Sequence, residues 1–285
     1  VRKLRARFLF QREMKLRLLS AAVLIPLVIG ALWLGEIAFA GIVLLTALLV
    51  QDEWLRMVGG HDRRAVLWGA YLVQCALTIV AVTLSLPAAV GALAAGAVLV
   101  AAVAAMGPHP VSPRWVGAGV LYAGAAIIAM IELRKGADGF GAVVFVLLIA
   151  WTTDTAAFFV GRKMGGPKLW RRVSPSKTWS GAIGGLVCGA LCGAFVLSLL
   201  DAPWSLAGLF AAALVAVASI GGDLLESAAK RRFAIKDAGS LIPGHGGVMD
   251  RVDGLIAASL VTMLIGAVAS ADTAAGGFLS MMGRL

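Results

Sequence analysis

Along this chain the polar residues come in clumps, separated by apolar stretches long enough to cross a bilayer. Nine such stretches fall at about 16–35, 37–50, 66–86, 88–106, 115–131, 140–161, 181–200, 204–222 and 254–270. A helix needs roughly 20 apolar residues to cover a hydrocarbon core about 30 Å thick. Pro87, Pro108, Pro110, Pro113 and Pro203 sit at the ends of the stretches, where a missing backbone donor costs least. The pattern predicts an all-α, polytopic integral membrane bundle of about nine transmembrane helices, with no soluble domain left over. It divides into N-terminal membrane helices over 1–140, with a basic tail, and a C-terminal region over 141–285 carrying two large polar loops, 162–180 and 223–253.

Composition agrees with that class. Of 285 residues, 60% are hydrophobic and 14% charged, where a soluble domain carries about 25% charged residues. Cys75, Cys188 and Cys192 all lie inside apolar stretches without other metal ligands nearby, so they read as buried free thiols and imply no disulfide compartment. The abundance of Ala and Gly suits close helix packing in lipid.

The 25 Lys and Arg against 15 Asp and Glu would suggest nucleic acid if their placement were ignored. With the N-terminus taken as cytoplasmic, 22 of the 25 fall in the tail or in the loops on that same side, and only Arg134, Lys135 and Arg284 fall outside. Basic residues concentrate on the cytoplasmic side of membrane proteins. The chain is therefore read as an inner (plasma) membrane protein with its N-terminus and both large loops in the cytoplasm, and no nucleic-acid partner. Ala38-Phe39-Ala40 resembles a signal-peptide cleavage site, but the first stretch is long and runs straight into a second, so it is read as a retained helix.

The loop 223–253 holds five of the 15 acids: Asp223, Glu226, Asp237, Asp250 and Asp253. Asp223 stands where one apolar stretch ends; Asp250 and Asp253, three apart and so on one helix face, stand where the next begins. Carboxylates at both membrane ends of a loop can converge on a hard cation, and an oxygen-rich, sulfur-free setting favours magnesium or manganese over zinc. The alternative is pairing with nearby bases; Glu226 and Lys230 also fit an i,i+4 helix pair. Lys230, Arg231, Lys236 and Arg251 are interleaved with the acids, as a metal–phosphate site requires. Gly244, Gly246 and Gly247 around His245 give a backbone that can approach an anion closely, or simply a flexible turn. His245 can contact phosphate, move a proton or make a structural hydrogen bond.

In the other loop, Ser176 or Thr178 can cap the helix that follows, with Lys177 near its positive end: a second phosphate cradle, or an interfacial cap with a snorkelling lysine. Asp154 lies inside an apolar stretch, where an acid costs about 2.5–3.5 kcal/mol on insertion scales; it is either functional, the default for such acids, or satisfied structurally by its flanking threonines. No Walker A loop, zinc-protease helix or nucleophile elbow occurs, so an enzyme here would work by positioning and charge neutralisation.

Ser227, Lys230-Arg231, Lys236-Asp237, Gly239, Ile242-Pro243, His245-Gly246-Gly247-Val248 and Asp250-Arg251-Val252-Asp253 follow one another within 27 residues. This run resembles the signature of the phosphatidate cytidylyltransferases, also called CDP-diacylglycerol synthases. Asp154 and the stretch Ser174-Pro175-Ser176-Lys177-Thr178-Trp179 resemble that family too, so the likeness covers about 150–255; residues 1–140 match only in being hydrophobic. Ala229 departs from the family, which usually has a larger apolar residue there.

The resemblance implies transfer of the cytidylyl group of CTP to phosphatidic acid, giving CDP-diacylglycerol and pyrophosphate. It implies Mg2+ held by Asp223 and Asp250 with Asp253 close by, a second monovalent cation such as K+, and a homodimer. It makes Lys230, Arg231, Lys236, Asp237, His245 and Arg251 the catalytic set, with Ser176, Lys177, Thr178, Gly246, Gly247 and Asp154 about the substrates. Two rivals stand beside this reading: a CTP-dependent lipid kinase, which would share the CTP site, and a transporter, which would need paired acidic repeats that the first half lacks.

Overall fold

The computed structural model of the chain describes residues 23, 25–106, 111–202, 205–239, 246–269 and 273–282. A short apolar helix α1 (Ile25–Leu34) leads into α2 (Glu36–Met57), α3 (Arg64–Thr83), α4 (Leu86–Ala105), α5 (Pro113–Arg134) and α6 (Gly139–Met164). Two short strands, β1 (Lys168–Trp170) and β2 (Ser174–Thr178), precede α7 (Trp179–Leu199), α8 (Leu206–Arg232), α9 (Met249–Ala269) and α10 (Ala274–Met281). Among the described residues eight helices, α2 to α9, are long and apolar enough to cross a membrane. The chain is a polytopic helical membrane protein. Of the expected first span, α1 is described and residues 16–22 lie outside the described residues.

Large apolar side chains point outward: Leu72, Ile79, Val98, Leu99, Leu191 and Phe195 are all exposed, on α3, α4 and α7. In lipid such faces have no reason to turn inward, so close packing must come from small residues instead. Helix α5 is the most buried and touches α2, α3, α4, α6 and α9. Its Gly119 leaves room for the ring of Trp54 from α2, whose Nε1 donates to the Trp115 carbonyl at 2.8 Å. Helix α7 lays Gly181, Gly185, Gly189 and Gly193, each four apart, against α6, with Ala212 and Ala216 of α8 beside the last two.

Two helices run past their expected ends. Helix α2 continues from 50 to Met57 and α8 from 222 to Arg232. The apolar runs stop there, but the helices do not, because the bundle supplies partners for the polar groups that follow; Glu53 and Glu226 are 4% and 2% exposed. Asp223, Glu226, Lys230 and Arg231 are therefore helical residues rather than loop residues, and the expected loop 223–253 shrinks to 233–248. The other loop is not irregular either. Gly165 and Gly166, at φ 63° and 103°, end α6, and β1 and β2 then pair antiparallel with Lys168 opposite Thr178. The Thr178 hydroxyl caps α7 by accepting from the Gly181 amide at 3.1 Å.

Helices α8 and α9 come together backbone to backbone. A Cβ added at Gly222 would sit 2.5 Å from the Asp253 carbonyl oxygen, and one at Gly254 would sit 2.7 Å from Ser219 Oγ. This crossing sets the distance between the acids of α8 and those of α9. Gly222→Ala should force the helices apart and cost about 1–3 kcal/mol, read as a lowered thermal midpoint of the purified protein in detergent; an unchanged midpoint would show that the crossing has slack.

Candidate active site

The acids and bases singled out from sequence meet at one end of the bundle, where α8 ends, α9 begins and the β1–β2 hairpin folds over. Asp223 and Glu226 lie one turn apart on α8, and Asp253 stands in the first turns of α9 across the glycine crossing. One carboxylate oxygen from each of these three lies within 4.8 Å of the others. Asp253 is 6% exposed and accepts its neighbouring Gly254 amide at 2.7 Å. Three acids so close repel one another, and two lysines answer them. Lys177, delivered by β2, is ion-paired to Asp223, and Ser227 Oγ donates to the other oxygen of that carboxylate at 3.4 Å.

Lys230 lies between two carboxylates. Its Nζ is 2.8 Å from Glu226 Oε2 and donates to Asp250 Oδ1. The Glu226 contact is an ion pair, and Glu226 Oε1 is buried with no hydrogen-bond partner among the described residues. Asp250 spends its second oxygen on the amides of Gly247, at 2.9 Å, and Ala238, at 3.2 Å. Gly246, at φ 80°, makes the turn that lets those amides converge. Asp250 thus joins the cluster through Lys230, while Glu226 supplies the third close oxygen beside Asp223 and Asp253.

The other expected residues divide. Arg231 donates to the carbonyls of Val173, at 3.2 Å, and Ile235, at 3.3 Å, and so ties the hairpin to the end of α8. Lys236, Asp237 and Ser176 are exposed at the same end. His245 lies outside the described residues. Arg251 and Asp154 face a cavity of about 630 Å³ that runs between α1, α2, α5, α6 and α9. Its walls are otherwise mostly apolar, with Val43, Ala126, Leu147 and Leu255 among them.

Reading the sequence missed three groups. Glu53 of α2 reaches the start of α9, accepting from the amides of Val248 and Met249 at 2.8 Å each. Tyr122 of α5 has a buried hydroxyl without a partner among the described residues. Glu226 was counted among the acids of the loop, with pairing to Lys230 as the alternative, but was not placed among the metal ligands. For Glu53 a signal existed: Gln51-Asp52-Glu53 follows an apolar run directly, and acids within membrane helices are functional by default.

The donor set suits a hard divalent cation. All its close ligand atoms are carboxylate oxygens, no thiol or imidazole intrudes among the described residues, and Glu226 Oε1 is a buried acceptor lacking a donor. A membrane bundle that gathers carboxylates, lysines and convergent amides at one end belongs with enzymes that handle phosphate. Residues 15–269 match the profile of the Cytidylyltransferase family. The chain is 37% identical over 260 residues to the phosphatidate cytidylyltransferase of Brucella suis biovar 1, covering 90% of this chain and 94% of that protein. With the phosphatidate cytidylyltransferase of Pseudomonas aeruginosa it shares 35% over 257 residues, 86% of this chain and 94% of that one. This chain belongs to the cytidylyltransferase family. The kinship also runs through most of the first half, further than the stretch 150–255 on which the likeness was first read.

If Asp223, Glu226 and Asp253 hold a cation, Mg2+ should raise the thermal midpoint of the wild-type protein without any substrate, by an amount equivalent to about 2.7 kcal/mol at a hundredfold excess over the dissociation constant. Glu226→Gln should lose that response. An equal response in both proteins would remove Glu226 from the donor set.

Proposed function

We propose that this protein transfers the cytidylyl group of CTP to phosphatidate, giving CDP-diacylglycerol and pyrophosphate, at the cytoplasmic face of the inner membrane. Membership of the cytidylyltransferase family and likeness to named phosphatidate cytidylyltransferases over nine-tenths of the chain support the reaction. The single observation that carries the reading is a juxtaposition: a carboxylate–lysine cluster at the bundle end stands beside an apolar cavity whose polar wall holds Arg251 and Asp154. One substrate is dissolved in water and the other is held in the leaflet, so a site for both must combine these two environments.

The phosphate of phosphatidate is already an anion, so attack needs no strong base. Its oxygen bonds to the α-phosphorus of CTP as the bond from that phosphorus to the departing pyrophosphate breaks. The protein's task is to bring four phosphate groups together and quench their repulsion. Asp223, Glu226 and Asp253 would hold Mg2+, with Asp250 attached to them through Lys230. When bound, that cation supplies positive charge against the phosphate oxygens. Lys177 and Lys230, both next to the acids, and Lys236 and Arg251, both exposed at this end, neutralise charge on the transferring and departing groups. Arg251 receives the lipid phosphate, and the acyl chains lie in the cavity. The amides of Gly247 and Ala238 keep Asp250 in place.

Purified protein given CTP, Mg2+ and phosphatidate vesicles should release pyrophosphate and form CDP-diacylglycerol; release of CDP with a newly phosphorylated lipid would identify a lipid kinase instead. Asp250→Asn should lower turnover at least about 10-fold in folded protein, and turnover near wild type would end its role in the site. Narrowing the cavity with Ala126→Phe should raise KM for long-chain phosphatidate several-fold while sparing a short-chain analogue; an equal effect on both chain lengths would place the acyl chains elsewhere.

A further inference from the structure

We infer that Glu53 is a positioning residue for the reaction, and that the cytoplasmic end of α2 is the template on which the start of α9 and the segment before it are set. The inference rests on the cytidylyltransferase reading of the site. The amides at the start of α9, those of Val248 and Met249, donate to the two oxygens of Glu53 at 2.8 Å each, across almost 200 residues of chain. A carboxylate at a helix N-terminus makes charge-assisted bonds in its favoured electrostatic setting.

Glu53 also meets the chain at two further points, Gly239 and Gly247. A Cβ at Gly239 would lie 2.5 Å from Glu53 Oε1, and one at Gly247 would lie 2.5 Å from Oε2, so both glycines are pressed against the carboxylate. These segments contribute Ala238 and Gly247, the very residues whose amides hold Asp250. The neighbouring Trp54 extends the same grip. It is bonded to the Trp115 carbonyl, and the Trp115 ring meets Phe233 edge to face at 5.0 Å, just where α8 ends. Glu53 is 4% exposed and touches no part of the carboxylate cluster directly; it acts through Asp250.

Glu53→Gln keeps the length of the side chain but leaves one amide facing a donor. In the full-length protein it should lower kcat/KM for CTP on the order of 10- to 100-fold, with KM for phosphatidate unchanged. Hydrogen exchange should rise at residues 246–250 and stay as in wild type elsewhere. Gly239→Ala, which crowds the carboxylate from the opposite side, should reproduce both effects should Glu53→Gln fail to fold. Phe278→Leu is the structural comparison: it trims a buried ring packed on Phe145 at 4.9 Å, on α10 beyond the other end of α9, and should lower the thermal midpoint without altering KM for CTP. The inference is overturned if Glu53→Gln and Gly239→Ala keep wild-type CTP kinetics, or if Phe278→Leu at a matched loss of stability gives the same kinetic defect. Wild-type protein lacking cytidylyl transfer altogether would instead overturn the reading of the reaction.

Discussion

Everything at the working end of this molecule depends on holding three carboxylates where their mutual repulsion is strongest. Two like charges about 4 Å apart cost roughly 4 kcal/mol at an effective dielectric of about 20. Such a cluster forms only if the backbone leaves no choice, and the contact of α8 and α9 at Gly222 and Gly254 leaves none. The same packing that is ordinary in lipid, small residue against backbone, thus serves here to assemble Asp223, Glu226 and Asp253. Lys177 and Lys230 reduce the repulsion but leave Glu226 Oε1 without a donor. The result is a cluster that remains short of positive charge.

The lysines have a second consequence. Lys177 comes from a β-hairpin between α6 and α7, while Lys230 is one turn beyond Glu226 on α8. One is carried by a short hairpin and the other by the helix that also carries Asp223 and Glu226. Arg231 bridges these two pieces by donating to the Val173 carbonyl, so the hairpin is not an independent flap. Through its ion pair with Asp223, Lys177 binds the hairpin to α8 a second time.

How far the sequence could be read follows from which forces act locally. The long apolar stretches placed α2 to α9 within a few residues at most ends, because lipid demands them irrespective of tertiary contacts. Reading failed where a helix outran its apolar run, at Gln51–Met57 and at Asp223–Arg232, since only partners from other helices make those polar turns tolerable there. The hairpin was invisible because strands of three and five residues show no periodicity. Asp223 and Asp253 were legible as neighbours from their placement at helix ends. The Glu226–Lys230 pair was legible from i,i+4 spacing, but its approach to α9 was not. Glu53 is the sharpest case: its role lies entirely in two amides nearly 200 positions away.

The order of these elements along the chain bears on how the protein is made. The three clustered acids sit on α8 and α9, the last two long helices described, while the group that sets the start of α9 waits on α2. During synthesis the early helices enter the bilayer with Glu53 still lacking the amides it will receive. No chain that stops short of α9 can gather the carboxylates. The cluster forms in a single event, when α9 inserts and closes onto a seat prepared long before.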